Sequence, residues 1–174
     1  MFVNLTEVLL NEDKVVTMQA EPEVSQVTIG GETFPVNSMT PFAMTFTNLE
    51  KGRARVEGEG KITFSARCSR CLREVNTTLE LAIDRTVYAP DRMPSPEDGD
   101  DQEYMNGYQM DVEELLRNEI VINWPMKILC RPDCRGICRQ CGQDLNTGTC
   151  DCDTFVPDPR MAVIKDIFNG SKEV

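Results

Sequence analysis

Residues 53–87 read RARVEGEGKITFSARCSRCLREVNTTLELAIDRTV, and this stretch contains two runs in which apolar and polar side chains alternate. The first run covers residues 54–66 and the second covers residues 75–87. A period of two places alternate side chains on one face, so each run predicts a half-buried β-strand. Residues 68–73 lie between the runs and are expected to form the tip of an antiparallel hairpin, which carries a Cys-x-x-Cys pair.

The chain before this hairpin also predicts antiparallel strands. Residues 24–36 alternate on both sides of Gly30-Gly31, and two glycines supply the positive φ that a two-residue hairpin turn requires. Another short strand is predicted from alternate apolar residues at Phe42, Met44 and Phe46. Residues 1–88 are therefore predicted to form a β-rich domain. Its strand order is left open, and a partly closed barrel is one arrangement compatible with the pattern.

Residues 89–109 combine prolines with a run of carboxylates and predict a solvated, acidic linker or loop. A helix is expected to begin at Asp111, whose carboxylate caps the first turn while Glu114 completes a capping box. The apolar stripe of this helix consists of Val112, Leu115, Leu116 and Ile120. A last helix is predicted from the cap and first-turn proline at Asp158-Pro159.

The fold class predicted from these elements is α+β. It combines a mainly antiparallel β-sheet with two helices and a cysteine-rich, zinc-binding C-terminal annex. Residues 110–174 are expected to hold the first helix, the cysteine cluster and the last helix, packed on the β-domain as one compact unit. At 174 residues the chain is long enough for one such domain with a metal-organised annex.

The chain has eight cysteines and no histidine, and the cysteines form four close pairs. The pairs are Cys68 with Cys71, Cys130 with Cys134, Cys138 with Cys141, and Cys150 with Cys152. Structural zinc takes four ligands in a tetrahedron, so eight cysteines predict two four-thiolate zinc sites. Disulfides, an iron–sulfur cluster and a redox dithiol are the alternatives, and a reducing cytosol argues against the first of these.

Loop closure indicates which cysteines share an ion, because a short loop loses little chain entropy when it closes. The favoured partition places in one site the four cysteines that lie within 15 residues, which are Cys138, Cys141, Cys150 and Cys152. The other site then takes the hairpin pair and the pair that precedes the compact group, Cys68, Cys71, Cys130 and Cys134. The rival partition groups the four cysteines of 130–141 and leaves the hairpin pair with Cys150 and Cys152.

The formal net charge of −11 is unevenly distributed, since residues 91–114 carry nine acidic side chains against Arg92 alone. An acidic protein is a poor general binder of nucleic acid, because phosphate neutralisation supplies most non-specific affinity. Any contact with RNA must therefore be local or run through a basic protein. The first ten residues lack the features of a secretory signal, and no apolar run approaches about 18 residues. These features predict a cytoplasmic protein without a membrane span.

The sequence predicts a protein that is not an enzyme. A closed four-sulfur site leaves no coordination position for a substrate or a water molecule, whereas catalytic zinc usually keeps one open. The lack of histidine removes the commonest general base. A thioredoxin-like dithiol needs its Cys-x-x-Cys at a helix N-terminus, but Cys68 and Cys71 lie between two predicted strands.

Several segments resemble the YceD/YlbN family. They are the Cys-x-Arg-Cys element at 68–71, the acidic helix that leads into 122–126, the cysteine-rich run 130–142, and the continuations at 144–146, 150–152 and 158–160. The resemblance implies a bacterial or plastid protein linked to the accumulation of large-subunit ribosomal RNA. It transfers no catalytic residues, and it is specific over roughly 60–174.

The predicted function is that of a non-enzymatic, zinc-binding ribosome-biogenesis factor that supports accumulation and processing of large-subunit rRNA. Its expected partner is a precursor of the large ribosomal subunit, contacted through rRNA or a basic ribosomal protein, with no membrane and no small-molecule substrate. The candidate contact residues are the arginines beside the cysteines: Arg67, Arg70, Arg73, Arg131, Arg135 and Arg139. The alternatives are a zinc- or thiol-dependent enzyme and a structural zinc protein that docks on another protein without touching RNA.

Overall fold

The structure is a computed structural model that describes residues 1–50, 52–92 and 102–152. The chain divides into two units: Met1–Arg67 with Glu74–Ile128, and Cys68–Arg73 with the chain from Leu129 onward. The described residues form nine strands and two helices, all in the first unit. In chain order these are β1 (Phe2–Asn4), α1 (Thr6–Leu10), β2 (Val15–Ala20), β3 (Gln26–Ile29), β4 (Glu32–Met39), β5 (Phe42–Asn48), β6 (Arg53–Arg67), β7 (Glu74–Tyr88), β8 (Met105–Asn106), β9 (Gln109–Asp111) and α2 (Val112–Ile122).

The long strand β6 organises the main sheet. It pairs antiparallel with β7 along its whole length, from the Arg53–Tyr88 pair to the Arg67–Glu74 pair. Its other edge pairs first with β5 and then with β4, and β2 and β3 extend the sheet from there. Alternate side chains of β6 are buried, as the period of two predicts. The two strands and the hairpin predicted from residues 53–87 are therefore confirmed.

The sheet is open, so the partly closed barrel considered from the sequence is not formed by the described residues. The strand order is β2-β5-β6-β4-β3, with β7 paired to β6. Because β6 has 15 residues, one of its edges accommodates β5 and β4 end to end. Strands β2 and β3 therefore lie at the two ends of this order and do not pair with each other, so the sheet does not close.

The first unit has one large core. The buried side chains of β5 and most of those of β6 pack in the same cluster as those of α1 and α2. Gly60 in β6 marks a close approach within this core, since a Cβ atom there would lie only 2.5 Å from the ring of the fully buried Phe42. A second, smaller cluster stacks the indole of Trp124 on the ring of Phe64, with centroids 4.5 Å apart.

The prediction of a solvated linker is wrong for residues 102–109, while residues 93–101 lie outside the described part of the chain. Strands β8 and β9 form a small sheet with the N-terminal strand β1. Tyr104 and Met105 are buried, and the side-chain amide of Gln102 donates to the carbonyl of Thr86 at 3.0 Å. The apolar side chains in this acidic region outweigh its charge and dock it against the core.

Helix α2 begins as predicted, with the carboxylate of Asp111 accepting a hydrogen bond from the Glu113 N–H at 3.0 Å. The reciprocal half of the predicted capping box does not form, because the Asp111 N–H donates to the carbonyl of Tyr104 instead. The predicted apolar stripe is buried. It is joined by Glu119, whose carboxylate is 5% exposed and pairs with Arg85.

The last helix predicted from Asp158-Pro159 lies outside the described residues, as does its packing. Helix α1 and strand β2 were not predicted. Among the described residues no helix has the length and apolar character needed to cross a membrane.

Candidate metal centres

Four sulfurs of the second unit converge to form the first cluster, which consists of Cys68, Cys71, Cys130 and Cys134. Their Sγ atoms all lie within 4.8 Å of one another. Two of the separations are 3.8 Å, from Cys68 to Cys134, and 3.6 Å, from Cys71 to Cys130. A zinc–sulfur distance of about 2.3 Å in a tetrahedron places neighbouring sulfurs about 3.8 Å apart. A disulfide would need about 2.05 Å, so the spacing fits an ion between the sulfurs and not a bond.

The second cluster consists of Cys138, Cys141, Cys150 and Cys152, whose sulfurs also lie within 4.8 Å of one another. The structure therefore brings the cysteines together in the partition that loop closure favours. The rival grouping of the cysteines in 130–141 does not occur. All eight cysteines are free thiols.

The first Cys-x-x-Cys pair of each cluster is built on the same backbone turn. The Leu72 N–H donates to the carbonyl of Cys68, and the Gly142 N–H donates to the carbonyl of Cys138, both at 2.9 Å. The residue after the second cysteine has a positive φ in both turns, +60° at Leu72 and +75° at Gly142. Glycine adopts this conformation freely, whereas leucine is strained in it by about 1–2 kcal/mol. Leu72 nevertheless forms the turn and is exposed.

Hydrogen bonds from backbone amides favour the ionised form of one thiol in the first cluster, that of Cys68. Burial raises the pKa of the Cys68 thiol, but hydrogen bonds from the N–H groups of Cys71, Arg70 and Cys130 lower that pKa to about 6 overall. Burial and the neighbouring sulfurs, first that of Cys134, raise the pKa of Cys130 to about 12. Four thiolates at this spacing repel one another, so a cation is required to keep them all ionised.

The second cluster repeats this pattern. The N–H groups of Cys141 and Gln140 lower the pKa of Cys138 to about 6. The sulfur of Cys141 and then burial raise the pKa of Cys152 to about 12. Each cluster thus contains one sulfur that ionises readily and at least one that needs a bound cation to do so. Either group could hold a metal ion with its four sulfurs, and neither leaves a position for a fifth ligand in a tetrahedral site.

Asn146 links the two clusters, and the sequence did not identify it as a site residue. Its Nδ2 donates to the sulfur of Cys134 at 3.5 Å and to the carboxylate of Asp144 at 2.6 Å. Its Oδ1 accepts from the guanidinium of Arg131 at 3.1 Å and from the N–H of Arg135 at 2.8 Å. The sequence offers two indications, an amide in the loop between the ligand pairs of the second cluster and the place of this residue in the segment 144–146, which resembles the YceD/YlbN family.

Three of the six arginines considered for RNA contact are engaged within the second unit. Arg70 donates to the carbonyl of Cys134 at 2.7 Å, and Arg73 pairs with Asp144 at 2.9 Å. Arg131, already bonded to Asn146, also forms an ion pair with Asp133 at 3.4 Å. These guanidinium groups hold the hairpin tip and the cysteine loops together.

The other three arginines are Arg67, Arg135 and Arg139. All are exposed, and none has a side-chain hydrogen bond or ion pair to another described residue. Arg67 is the last residue of β6 in the first unit, whereas Arg135 and Arg139 border Cys134 and Cys138 in the second. Arg135 and Arg139 therefore offer guanidinium groups beside the clusters that are available to an external anion.

The described residues thus form an α+β fold with an open antiparallel sheet and two four-cysteine clusters that could each hold a metal ion. Residues 56–168 match the family described as "Large ribosomal RNA subunit accumulation protein YceD". The chain therefore belongs to the YceD family, as its cysteine pattern suggested.

Individual relatives are more distant. Uncharacterized protein Rv2926c of Mycobacterium tuberculosis and Uncharacterized protein Mb2951c of Mycobacterium bovis are each 29% identical to this chain over 79 residues. The match covers 45% of this chain and 38% of each relative. The chain thus spans well under half the length of these relatives. No solved structure matches it.

Proposed function

We propose that this protein is a non-enzymatic factor for large-subunit ribosome assembly, in which two structural zinc ions hold a small arginine-bearing surface in place. The family description, which concerns accumulation of large-subunit rRNA, is the observation that carries the proposal. The expected partner is a precursor of the large ribosomal subunit, and the expected location is the cytoplasm, where such particles are assembled in bacteria.

The chemistry of the donor set supports zinc. Four sulfurs with no nitrogen or oxygen donor suit zinc, and the 3.6 and 3.8 Å sulfur separations match its tetrahedron. A site whose four positions are all taken by sulfur has no place to activate water, which supports a structural role over hydrolysis.

Exposure and charge support a local contact with phosphate. The net charge of −11 repels nucleic acid at long range, but screening confines that repulsion to about 8–10 Å in physiological salt. Within that distance Arg135 and Arg139 can form bidentate contacts with phosphate oxygens, since neither guanidinium is otherwise engaged by the described residues.

The test replaces Arg135 and Arg139 together by glutamine in a strain that depends on this protein. The matched control replaces Arg53 and Arg117, which are exposed residues of the first unit, and removes the same charge. We expect the Arg135→Gln/Arg139→Gln variant to keep its zinc but to co-sediment less with large-subunit precursors. The salt slope of its RNA binding should fall by about one for each phosphate that the variant no longer neutralises.

Large-subunit rRNA, measured against small-subunit rRNA, should fall in cells that lack the protein and should recover with the control variant. Unchanged rRNA on depletion would overturn the proposed function. Normal sedimentation of the Arg135→Gln/Arg139→Gln variant would refute only the assignment of the contact to these two arginines.

A further inference from the structure

We propose that Asn146 is a positioning residue that couples the two metal centres, so that an ion in the second cluster strengthens metal binding at the first. The inference rests on the zinc binding proposed above and adds a relation between the two sites. It would make loading of the protein cooperative.

The side-chain amide of Asn146 is fixed in one orientation. Its oxygen accepts from two donors, the Arg131 guanidinium and the Arg135 N–H, at 3.1 and 2.8 Å. Its nitrogen donates to two acceptors, the Asp144 carboxylate at 2.6 Å and the Cys134 sulfur at 3.5 Å. A flipped amide would set donor against donor and acceptor against acceptor, so the N–H is held toward the Cys134 sulfur.

The second cluster holds the loop that carries this amide. Residues 142–149 lie between its two ligand pairs, and the Cys138 N–H donates to the carbonyl of Gln143 at 2.8 Å. The Leu145 N–H donates to the carbonyl of Gly136 at 2.9 Å, and the Gln143 side chain donates to the Thr149 carbonyl at 3.2 Å. An ion that joins the two pairs closes this loop and lowers its conformational freedom. Asn146 is thereby ordered next to the first cluster.

The hydrogen bond from Asn146 stabilises the negative charge of the Cys134 thiolate, which is the ligand form of the sulfur. Removal of such an outer hydrogen bond typically lowers metal affinity about 10- to 100-fold. Coupling between binding sites is reciprocal, so an ion at the first cluster should strengthen binding at the second by the same factor. A second connection, the Arg73–Asp144 ion pair, joins the hairpin tip to the same loop.

The experiment is a double-mutant cycle on the full chain. Asn146→Asp keeps the size and the acceptor oxygen but removes the N–H that faces sulfur. Cys150→Ser/Cys152→Ser removes the second centre without touching Asn146 or the first cluster. Zinc affinity of the first cluster is measured by competition with a chromophoric chelator, and cobalt(II) serves as a spectroscopic probe through its sulfur-to-metal charge-transfer bands.

We expect Asn146→Asp to lower zinc affinity at the first cluster at least 10-fold and to shift the charge-transfer band of cobalt bound there. Removal of the second centre should lower the same affinity about 10-fold with Asn146 present and less than about 3-fold in the Asn146→Asp background. Asn106→Asp, at an exposed position of the first unit, adds the same charge and serves as the control. It should change neither the zinc affinity of the first cluster nor the charge-transfer band of cobalt bound there.

The coupling would be overturned if removal of the second centre lowered zinc affinity at the first cluster equally with Asn146 present and in the Asn146→Asp background. It would also be overturned if Asn146→Asp kept the wild-type zinc affinity.

Native mass spectrometry of the unmutated chain during cobalt titration gives an independent measurement that needs no cysteine variant. Cooperative loading populates the metal-free and two-metal forms at the expense of the one-metal form, whereas a statistical distribution refutes it. A chain that binds no zinc refutes the proposed function itself, while two zinc ions bound independently refute only this inference.

Discussion

Replacing Gly60 by alanine tests the close approach of β6 to the ring of Phe42. The added Cβ would lie 2.5 Å from Cε1 and 2.6 Å from Cδ1 and Cζ of that ring. Carbon atoms pack best at about 3.5–4.0 Å, so the ring must move by about 1 Å. Phe42 is fully buried, and a packed core accommodates such a shift only by straining its neighbours.

The expected cost is about 1–3 kcal/mol of unfolding free energy, as for other overpacked cores. Gly58 provides a matched control in the same strand, because a Cβ there would meet its neighbours at 3.4–3.5 Å, an ordinary contact. Gly58→Ala should be neutral or stabilising by about 0.5–1 kcal/mol, since alanine loses less backbone freedom than glycine on folding. Gly60→Ala should therefore be less stable than Gly58→Ala by about 1–4 kcal/mol.

Urea denaturation of the zinc-loaded protein measures this difference. Trp124 is the only tryptophan of the chain and stacks on Phe64 in the same unit, so its fluorescence reports unfolding of that unit. Equal midpoints for Gly60→Ala and Gly58→Ala, at equal slopes, would refute the steric argument.

Two further predictions concern charge. Zinc affinity should rise by at least about 100-fold per pH unit near pH 7, because each ion displaces at least two protons. These protons are on the thiols whose pKa is raised, which are Cys71 and Cys130 in the first cluster and Cys150 and Cys152 in the second. Chelator competition at about pH 6.5 and 7.5 measures this slope, and a flat profile would contradict it. Arg85→Met should lower the unfolding free energy of the first unit by about 3 kcal/mol, since it leaves the buried carboxylate of Glu119 without its ion-pair partner. The double variant Arg85→Met/Glu119→Leu, which removes both charges, should recover most of that free energy. Equal urea midpoints for the single and double variants would count against this account.

The regular features of the fold could be predicted because their patterns are local. The β6–β7 hairpin buries one face, which produces a period of two in the sequence, and Gly30-Gly31 forms the expected turn with φ values of +58° and +86°. The grouping of the eight sulfurs followed from loop lengths alone. The hairpin, the turn and the second cluster each join residues that are close along the chain or share one simple repeat, and the first cluster follows because its four cysteines are the ones that remain.

The features that the sequence did not predict depend on contacts between distant residues. Tyr104 and Met105 were assigned to a linker because the acidic residues around them dominate the composition, and only the core shows that they are buried. Glu119 is polar, so the apolar stripe of α2 did not include it, although Arg85 of β7 neutralises it. All six candidate arginines lie close to cysteines in the sequence. Only the structure shows that the guanidinium of Arg70 is hydrogen-bonded to the protein, whereas that of Arg135 is available to another molecule.

The first cluster draws its sulfurs from two stretches of the chain, with Cys71 and Cys130 separated by 59 positions. At an elongation rate of about 5–20 residues per second, this separation corresponds to roughly 3–12 s of translation. During that interval the nascent chain presents two cysteines of a four-cysteine site, while the compact second cluster can be completed from a single short stretch soon after it is made. The first cluster is thus completed only after translation has passed Cys134, and a slow codon between the two stretches would lengthen the period in which the Cys68 and Cys71 thiols are open to oxidants.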